Sequence, residues 1–171
     1  MVSKEWADKL AIRELLERYM RYNDDGDLDR IIELFEEDAE LMTAGRRIVG
    51  REGIRSFWLQ SGYFTPGIEH WTAPGRDLIQ PRSVHVASNP IIEVQGDAAT
   101  AESDFVVVVR TTEGRAKVAL AGRYRDRLLR TESGGWRIAS RKGVSVARPG
   151  EEGTDSEWQA AMLRGDIEVS S

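Results

Sequence analysis

His85 is one of only two histidines in the chain and is the first candidate for proton transfer. It lies near the start of a segment of alternating residue types, between Val84 and Val86. In a strand, His85 and Ala87 point to one face and the two valines to the other. Small neighbours leave room beside the imidazole for a ligand, and its ordinary pKa of about 6.5 suits acid–base chemistry near neutral pH. A histidine that is hydrogen-bonded inside the sheet, or half exposed at its edge, is the alternative without chemistry.

Asp24 is the second candidate, and it lies where the first amphipathic segment of the chain ends. Aspartates gather at helix ends because their side chains hydrogen-bond the backbone there, which is the ordinary explanation. A carboxylate at a helix C-terminus opposes the helix dipole, however, and this indicates a further demand on the position. Tyr19 lies on the apolar side of the same segment and is most simply a core residue whose hydroxyl needs a partner. His70 lies in an irregular loop, where we expect a solvated side chain.

The composition excludes several other kinds of site. The 171 residues include no cysteine, which excludes disulfides, thiolate metal sites and cysteine nucleophiles. No serine nucleophile elbow, H-E-x-x-H motif or glycine-rich nucleotide loop is present. The net charge of −5, from 24 basic and 29 acidic residues, argues against nucleic acid as a partner. Two histidines argue against a histidine-rich metal site, while a site of one histidine with carboxylates stays open. We expect neither a metal nor another cofactor.

The sequence also gives no sign of a membrane or secreted protein. A membrane span needs about 20 apolar residues, whereas the longest uncharged stretch, 56–68, contains several polar residues. The N-terminus leads directly into a charged amphipathic segment, without the apolar core of a secretion signal. We expect a cytoplasmic protein that acts on a small molecule and does not bind a membrane.

The elements that must position these side chains follow from the hydrophobic pattern. Three amphipathic helices are predicted, over residues 4–23, 28–35 and 50–58, with two short strands around a turn at 44–45. After an irregular run at 62–82, a period of two predicts four strands joined by short turns, over 83–94, 98–111, 116–130 and 136–146. Consecutive hairpins form an antiparallel meander, so the fold class is α+β. We expect one domain over 1–148 and a tail over 149–171 that can form a short helix.

Several segments carry a resemblance to a known family. They include A-I-R-E-L-L-E-R-Y at 11–19, D-D-G-D-L-D at 24–29, V-H-V-A-S-N-P-I-I at 84–92, and the shorter matches 34–39, 49–54, 96–98, 122–126 and 135–138. In this order they resemble the SnoaL-like branch of the nuclear transport factor 2-like superfamily. The resemblance implies a cone: a curved antiparallel sheet wrapped by three N-terminal helices around a single, largely apolar pocket.

The resemblance also implies an activity, because the branch includes polyketide cyclases, scytalone dehydratase and a bile-acid dehydratase. In its dehydratases an aspartate at the Asp24 position and a histidine at the His85 position form the catalytic pair, and Tyr19 is similar to a tyrosine of the bile-acid enzyme. The chain is thus expected to be a cofactor-free lyase or isomerase, a dehydratase or cyclase, acting on a cyclic, weakly polar molecule. Tyr22 and Trp58 are expected to line the pocket and bind the substrate. Scytalone dehydratase has another histidine on the next strand, where residues 105–109 here are all apolar, so the scytalone reaction itself is not implied.

A second resemblance points to a function without catalysis. The strand half of the chain is similar to the β subunit of aromatic-ring-hydroxylating dioxygenases, which mostly acts as a scaffold for a larger subunit. A small-ligand-binding module is a further alternative. A scaffold forms a complex with a large partner, whereas a stand-alone enzyme of this size is expected to be a homo-oligomer, a dimer or a trimer. We expect a dimer through the outer sheet face, where Arg123, Arg125 and Arg127 share one side of a strand.

Overall fold

Helices precede the long strands in the computed structural model, which describes residues 3–43, 45–60, 83–110 and 115–146. The elements are α1 (Lys4–Asp25), α2 (Leu28–Glu33), β1 (Phe35–Thr43), β2 (Arg46–Val49), α3 (Arg51–Gln60), β3 (Ser83–Gln95), β4 (Ala98–Arg110), β5 (Ala116–Arg130) and β6 (Trp136–Ser145). This order confirms the predicted α+β class. The irregular run at 62–82, with His70, and the tail at 149–171 lie outside the described residues, and the division into a domain and a tail stays a prediction.

The six strands form one sheet in the order β2-β1-β6-β5-β4-β3. Strands β3 to β6 are joined as the predicted antiparallel meander, and β1 and β2 form a hairpin. Strand β1 lies parallel to β6, so the sheet as a whole is mixed and differs here from the antiparallel sheet that we expected. The physical reason is that β1 and β6 are far apart in the chain, and no tight turn dictates their relative direction.

Register shifts bend the sheet around the helices. They occur in the pairings of β1 with β6, β3 with β4, β4 with β5, and β5 with β6. A bulge adds an unpaired residue, which bends the strand and increases its twist. The helices α1 and α3 pack on one face of this sheet, called the inner face here, and the opposite face is the outer face. Within the part of the chain that the structure describes, the sheet does not close, since β2 and β3 are both edge strands.

The first helix is stabilised by its N-cap and by the burial of its apolar stripe. The Ser3 side chain accepts a hydrogen bond from the Trp6 N–H at 3.3 Å, as an N-cap does. The predicted stripe is buried: Ile12, Leu15, Leu16 and Tyr19. They meet a core that α2, α3 and the inner face complete, with Ile31, Phe35, Leu41, Ile54, Leu128 and Ile138. None of the helices among the described residues is long and apolar enough to cross a membrane.

An ion pair connects the first turns of α1 to the end of strand β5. Both carboxylate oxygens of Asp8 accept hydrogen bonds from the Arg130 guanidinium, each at 2.8 Å. The Trp136 indole N–H donates to the same carboxylate at 3.3 Å, and the guanidinium carbon lies 4.3 Å from the centre of the Trp136 ring. The hydrogen bonds from Arg130 hold the pKa of Asp8 below its ordinary value.

We expect Asp8→Asn to lower the free energy of unfolding at pH 7 by about 1–3 kcal/mol, the usual cost of losing hydrogen bonds to a charged group. Because the folded pKa is depressed, this stabilisation is present above the unfolded pKa of about 3.9 and is lost as the pH falls through the folded pKa. Urea unfolding at pH 7 and at pH 3 measures the free energy of unfolding of wild type and variant. The difference in this free energy between the two proteins should be smaller at pH 3 than at pH 7. Glu17→Gln, which removes an exposed ion pair with Arg13, is the matched control and should change stability by less than about 1 kcal/mol. An Asp8→Asn effect that is independent of pH would contradict the linkage.

Candidate active site

Asp24 and His85 lie side by side, although 61 residues separate them in the chain. The His85 Nδ1 is 2.7 Å from the Asp24 Oδ1. The same carboxylate accepts the backbone N–H of His85, which is 3.0 Å from each oxygen, and the Ser83 hydroxyl at 3.3 Å. The side chains are 10% exposed for His85 and 7% for Asp24, so the pair is largely removed from water.

The end of α1 sets the position of Asp24. Gly26 adopts a left-handed conformation, with φ of 72°, and its N–H donates to the carbonyl oxygens of the last helical turn. The N–H of Asp27 also donates a hydrogen bond to the Tyr22 carbonyl oxygen, at 2.9 Å. These hydrogen bonds fix the last turn of α1 and so hold Asp24 in a defined position opposite strand β3.

Strand β3 supplies the other half of the arrangement because it is an edge strand. Its partner β4 lies on one side only, which leaves backbone N–H groups on the other side that need acceptors. The Asp24 carboxylate accepts one of them, the N–H of His85. Together with the Ser83 hydroxyl and the imidazole, this donor set compensates the unfavourable placement of a carboxylate at a helix C-terminus. The Asp24 carboxylate therefore also has a structural role, since it connects the end of α1 to the edge of β3.

The hydrogen bond to Asp24 has a chemical consequence for the imidazole. A carboxylate that accepts from Nδ1–H fixes the tautomer in which Nε2 carries the lone pair. If Nε2 then takes a proton, the neighbouring carboxylate stabilises the imidazolium cation. The arrangement is suited to moving a proton between carbon or oxygen atoms of a bound molecule.

The sheet around His85 is apolar on the inner face. His85 pairs with Val107, and Ala87 pairs with Phe105. The Phe105 ring stacks on Tyr124, with the ring centroids 4.2 Å apart. Gly122 permits this packing, because a Cβ at that position would be 2.2 Å from the Val144 carbonyl oxygen and 2.8 Å from the Phe105 Cζ.

Tyr19 lies deeper, about one and a half helical turns before Asp24, which is about 7.5 Å along the helix axis. It is buried, and its ring makes edge contacts with Phe35 and Tyr124, with centroid distances of 5.9 Å and 6.4 Å. Burial raises the pKa of the Tyr19 hydroxyl, and the Arg141 guanidinium opposes that rise. The phenol is therefore protonated at neutral pH and can donate a hydrogen bond. The structure brings Asp24 and His85 together and places Tyr19 beside Arg141.

Tyr22 and Trp58 are both half-buried and pack against the core. The guanidinium carbon of Arg30 lies 5.6 Å from the centre of the Tyr22 ring. The rings of Trp58 and Phe57 make an edge contact, with their centroids 5.2 Å apart. Their predicted contact with a substrate stays a prediction, as does the inner pocket, because the run at 62–82 lies outside the described residues. Described residues line a depression of about 280 Å³ on the outer face, at Met42, Arg127 and Lys142.

An ion pair on the inner face was not predicted from the sequence. Arg141 donates from Nε and Nη2 to the two oxygens of Asp126, at 2.7 Å and 2.8 Å, and both side chains are fully buried. The guanidinium carbon lies 4.0 Å from the Tyr19 ring centre and 4.5 Å from that of Tyr124. Burial alone would lower the pKa of Arg141, but the charge and hydrogen bonds of Asp126 outweigh it and raise that pKa. No signal in the sequence predicts it, because Asp126 and Arg141 lie opposite one another only through the register shift between Arg127 and Leu128.

The described residues include no group of three or more histidine, aspartate or glutamate side chains arranged to hold a metal ion.

Comparison with known proteins assigns the family. A profile of the SnoaL-like domain matches residues 4–142, which is most of the chain. The chain belongs to the SnoaL-like family. No curated protein matches it. The SnoaL-like match spans α1 to β6 and so includes Asp24, His85 and Arg141.

Solved structures are similar over most of this SnoaL-like chain. An aspartate-to-asparagine variant of a protein of unknown function from Mycobacterium tuberculosis is 25% identical, with a TM-score of 0.72 over 95% of this chain and 89% of that one. An NTF2-like protein with a cystatin-like fold from Novosphingobium aromaticivorans is 24% identical, with a TM-score of 0.66 over 85% of this chain and 86% of that one. A candidate scytalone dehydratase from the same organism is 22% identical, with a TM-score of 0.64 over 82% of this chain and 85% of that one. At such identities the last two show the fold alone, which is the predicted NTF2-like fold.

Proposed function

We propose that this SnoaL-like protein is a cofactor-free lyase or isomerase, a dehydratase or cyclase, in which His85 and Asp24 act as a general acid–base pair. The observation that carries the proposal is the 2.7 Å contact between His85 Nδ1 and Asp24 Oδ1 in a largely buried setting. The proposed substrate is a cyclic, weakly polar molecule, because the inner face beside the pair is apolar. A carbonyl group in the substrate would acidify the C–H bond from which a base of this kind removes a proton.

The proposed reaction begins with removal of a proton from the carbon next to the carbonyl. His85 Nε2 takes the proton, the C–H electron pair moves to form an enolate, and Asp24 stabilises the resulting imidazolium. In a dehydration, the imidazolium returns the proton to a β-hydroxyl group, which leaves as water while a C=C bond forms. In an isomerisation, the proton returns to another carbon. Atoms and charges balance in either case without a further reactant.

Tyr19 has a supporting role in this proposal. Its protonated phenol is a donor for the carbonyl oxygen on which negative charge develops, and such donors are most effective when preorganised in a site of low polarity. The Tyr19 phenol and the Asp24–His85 pair are proposed to contact the same bound molecule, a substrate of one or two fused rings. Tyr22 and Trp58 are proposed to provide apolar contact area for those rings.

Deuterium exchange tests the proposal without knowledge of the natural substrate. A panel of bicyclic ketones and β-hydroxyketones is screened by thermal shift, and each compound that raises the melting temperature is incubated with protein in D₂O. We expect mass spectrometry to show exchange at the carbon next to the carbonyl with wild-type protein. His85→Gln should bind the same compound and leave exchange at the rate of the buffer. A compound that binds both proteins and exchanges in neither would instead support the small-ligand-binding module.

A further inference from the structure

Ser83 shares one carboxylate oxygen of Asp24 with the imidazole of His85. The Ser83 hydroxyl donates to the Asp24 Oδ1 at 3.3 Å, and the His85 Nδ1 lies 2.7 Å from the same oxygen. Ser83 is the first residue of β3 and is buried. Residues two apart on a strand point to the same face, so the side chains of Ser83 and His85 approach the carboxylate from the same side.

The backbone N–H of His85 holds this carboxylate but does not distinguish its two oxygens. The His85 nitrogen lies 3.0 Å from Oδ1 and 3.0 Å from Oδ2. The Ser83 hydroxyl and the imidazole, in contrast, both bond Oδ1. Among the described residues, these two side chains alone determine which oxygen of Asp24 faces the His85 ring.

The Ser83 hydroxyl restricts a rotation that an aspartate side chain otherwise makes easily. The terminal torsion of an aspartate has a broad energy minimum, so a carboxylate held at one N–H can turn about that contact. Such a turn moves Oδ1 away from the Nδ1–H of His85, and the tautomer with the proton on Nε2 becomes populated. That tautomer cannot take a further proton at Nε2. The hydroxyl opposes the rotation because it donates to Oδ1 and not to Oδ2.

Burial by itself gives an ordinary explanation for this hydrogen bond, because buried hydroxyl groups nearly always have a partner. A purely structural bond would contribute to stability and would leave the imidazole unchanged. The two explanations therefore differ in what they predict for the His85 ring, which can be observed directly. The chain contains only two histidines, His70 and His85, so the imidazole signals are simple to assign.

We propose that Ser83 is a positioning residue of the Asp24–His85 pair. Its hydroxyl fixes the rotation of the Asp24 carboxylate, and thereby the tautomer in which the His85 Nε2 carries the lone pair. Ser83 itself takes no part in the proton transfer. The consequence for turnover rests on the proposed function, whereas the effect on the tautomer needs no substrate.

Nuclear magnetic resonance of the ¹⁵N-labelled full chain tests the effect on the tautomer. The His70→Gln variant serves as the background, so that every imidazole signal comes from His85. With Ser83 present, the neutral ring should carry its proton on Nδ1. Ser83→Ala should shift the ratio of the two tautomers about tenfold toward the Nε2–H form, the factor that one hydrogen bond of ordinary strength supplies. Ser83→Cys keeps the size but donates weakly and should do the same, and Ser83→Thr should restore the original ratio.

A second measurement connects the tautomer to turnover. For a compound that exchanges deuterium with wild-type protein, Ser83→Ala should catalyse the exchange about tenfold more slowly. The dissociation constant of the compound should be unchanged, because Ser83 positions the pair and does not bind the compound. Ser88→Ala is the matched control, since Ser88 lies on the same strand but is exposed, and it should alter neither the tautomer ratio nor the rate.

The two measurements separate the role of Ser83 from the proposed function. A wild-type tautomer ratio in both Ser83→Ala and Ser83→Cys would exclude a positioning role, whatever the activity of the variants. A shifted ratio would support that role even if no compound exchanged with wild-type protein, and the proposed function alone would then fail.

Discussion

Replacement of His85 by alanine and of Asp24 by asparagine should each reduce turnover of a substrate, once one is found, by about 10²–10⁴-fold. His85→Ala removes the group that carries the proton. Asp24→Asn keeps an oxygen for the Ser83 hydroxyl and the His85 N–H, but its amide cannot serve as a charged acceptor for Nδ1–H. The imidazole then loses its fixed tautomer and the neighbouring charge that stabilises the imidazolium.

The double variant gives a sharper test than either single variant. Residues that act as a unit are not additive, so H85A/D24N should be little slower than His85→Ala alone. Asp25→Asn is the matched control, because Asp25 is the adjacent carboxylate, is exposed and should retain wild-type turnover. Steady-state kinetics measure the rates, and thermal unfolding shows that each variant is folded. Near wild-type turnover by His85→Ala, or fully additive losses in the double variant, would contradict a working pair.

The sequence allowed prediction of the Asp24–His85 neighbourhood because its determinants are local. The helix that ends at a glycine and the strand with alternating valines are both readable from a few residues, and the resemblance to the SnoaL-like branch connected them. The roles assigned to Tyr19, Tyr22 and Trp58 depend on the predicted inner pocket and stay predictions, and the sequence of 62–82 has no regular pattern from which an element could be predicted. The parallel pairing of β1 with β6 was missed for another reason, since no turn residue records the pairing of strands that are distant in the chain.

Arg141 was missed because a bulge changes the parity of its strand. Trp136 and Ile138 are buried, so strict alternation would bury residue 140 and expose residue 141. The register instead pairs Leu128 with Ile138 and Arg127 with Ser140, which leaves Ala139 as an extra residue. From that point the alternation is shifted by one, and Arg141 points to the inner face. Period-two reasoning fails at every bulge, and bulges are where this sheet bends.

Arg141→Met should have the largest effect on stability, lowering the free energy of unfolding by about 3–5 kcal/mol. The loss arises because the variant leaves the Asp126 carboxylate fully buried without its partner. The Tyr19 and Tyr124 rings also lose the cation that lies within 4.5 Å of both. Urea denaturation at pH 7, followed by circular dichroism, measures the change.

Removal of both charges should restore most of that stability. A buried ion pair can often be replaced by apolar residues of similar size without loss, because two charges no longer have to be taken out of water. The Nη1 of Arg141 has no hydrogen-bond partner among the described residues, which makes the pair still more costly to bury. We therefore expect D126L/R141M to be at least about 2 kcal/mol more stable than Arg141→Met.

Arg123→Met is the matched control for the whole series. Arg123 lies on β5 and its Nε is 2.8 Å from a carboxylate oxygen of Asp104, but the pair is exposed on the outer face. Its loss should leave the free energy of unfolding nearly unchanged, because exposed ion pairs contribute little to stability. If Arg141→Met were equally mild, or if D126L/R141M were as unstable as Arg141→Met, the buried charge would not be the origin of the effect. In the second case the loss in Arg141→Met would have to come from the contacts of the guanidinium with the rings of Tyr19 and Tyr124, and Tyr19→Phe, which keeps its ring, should be as stable as wild type.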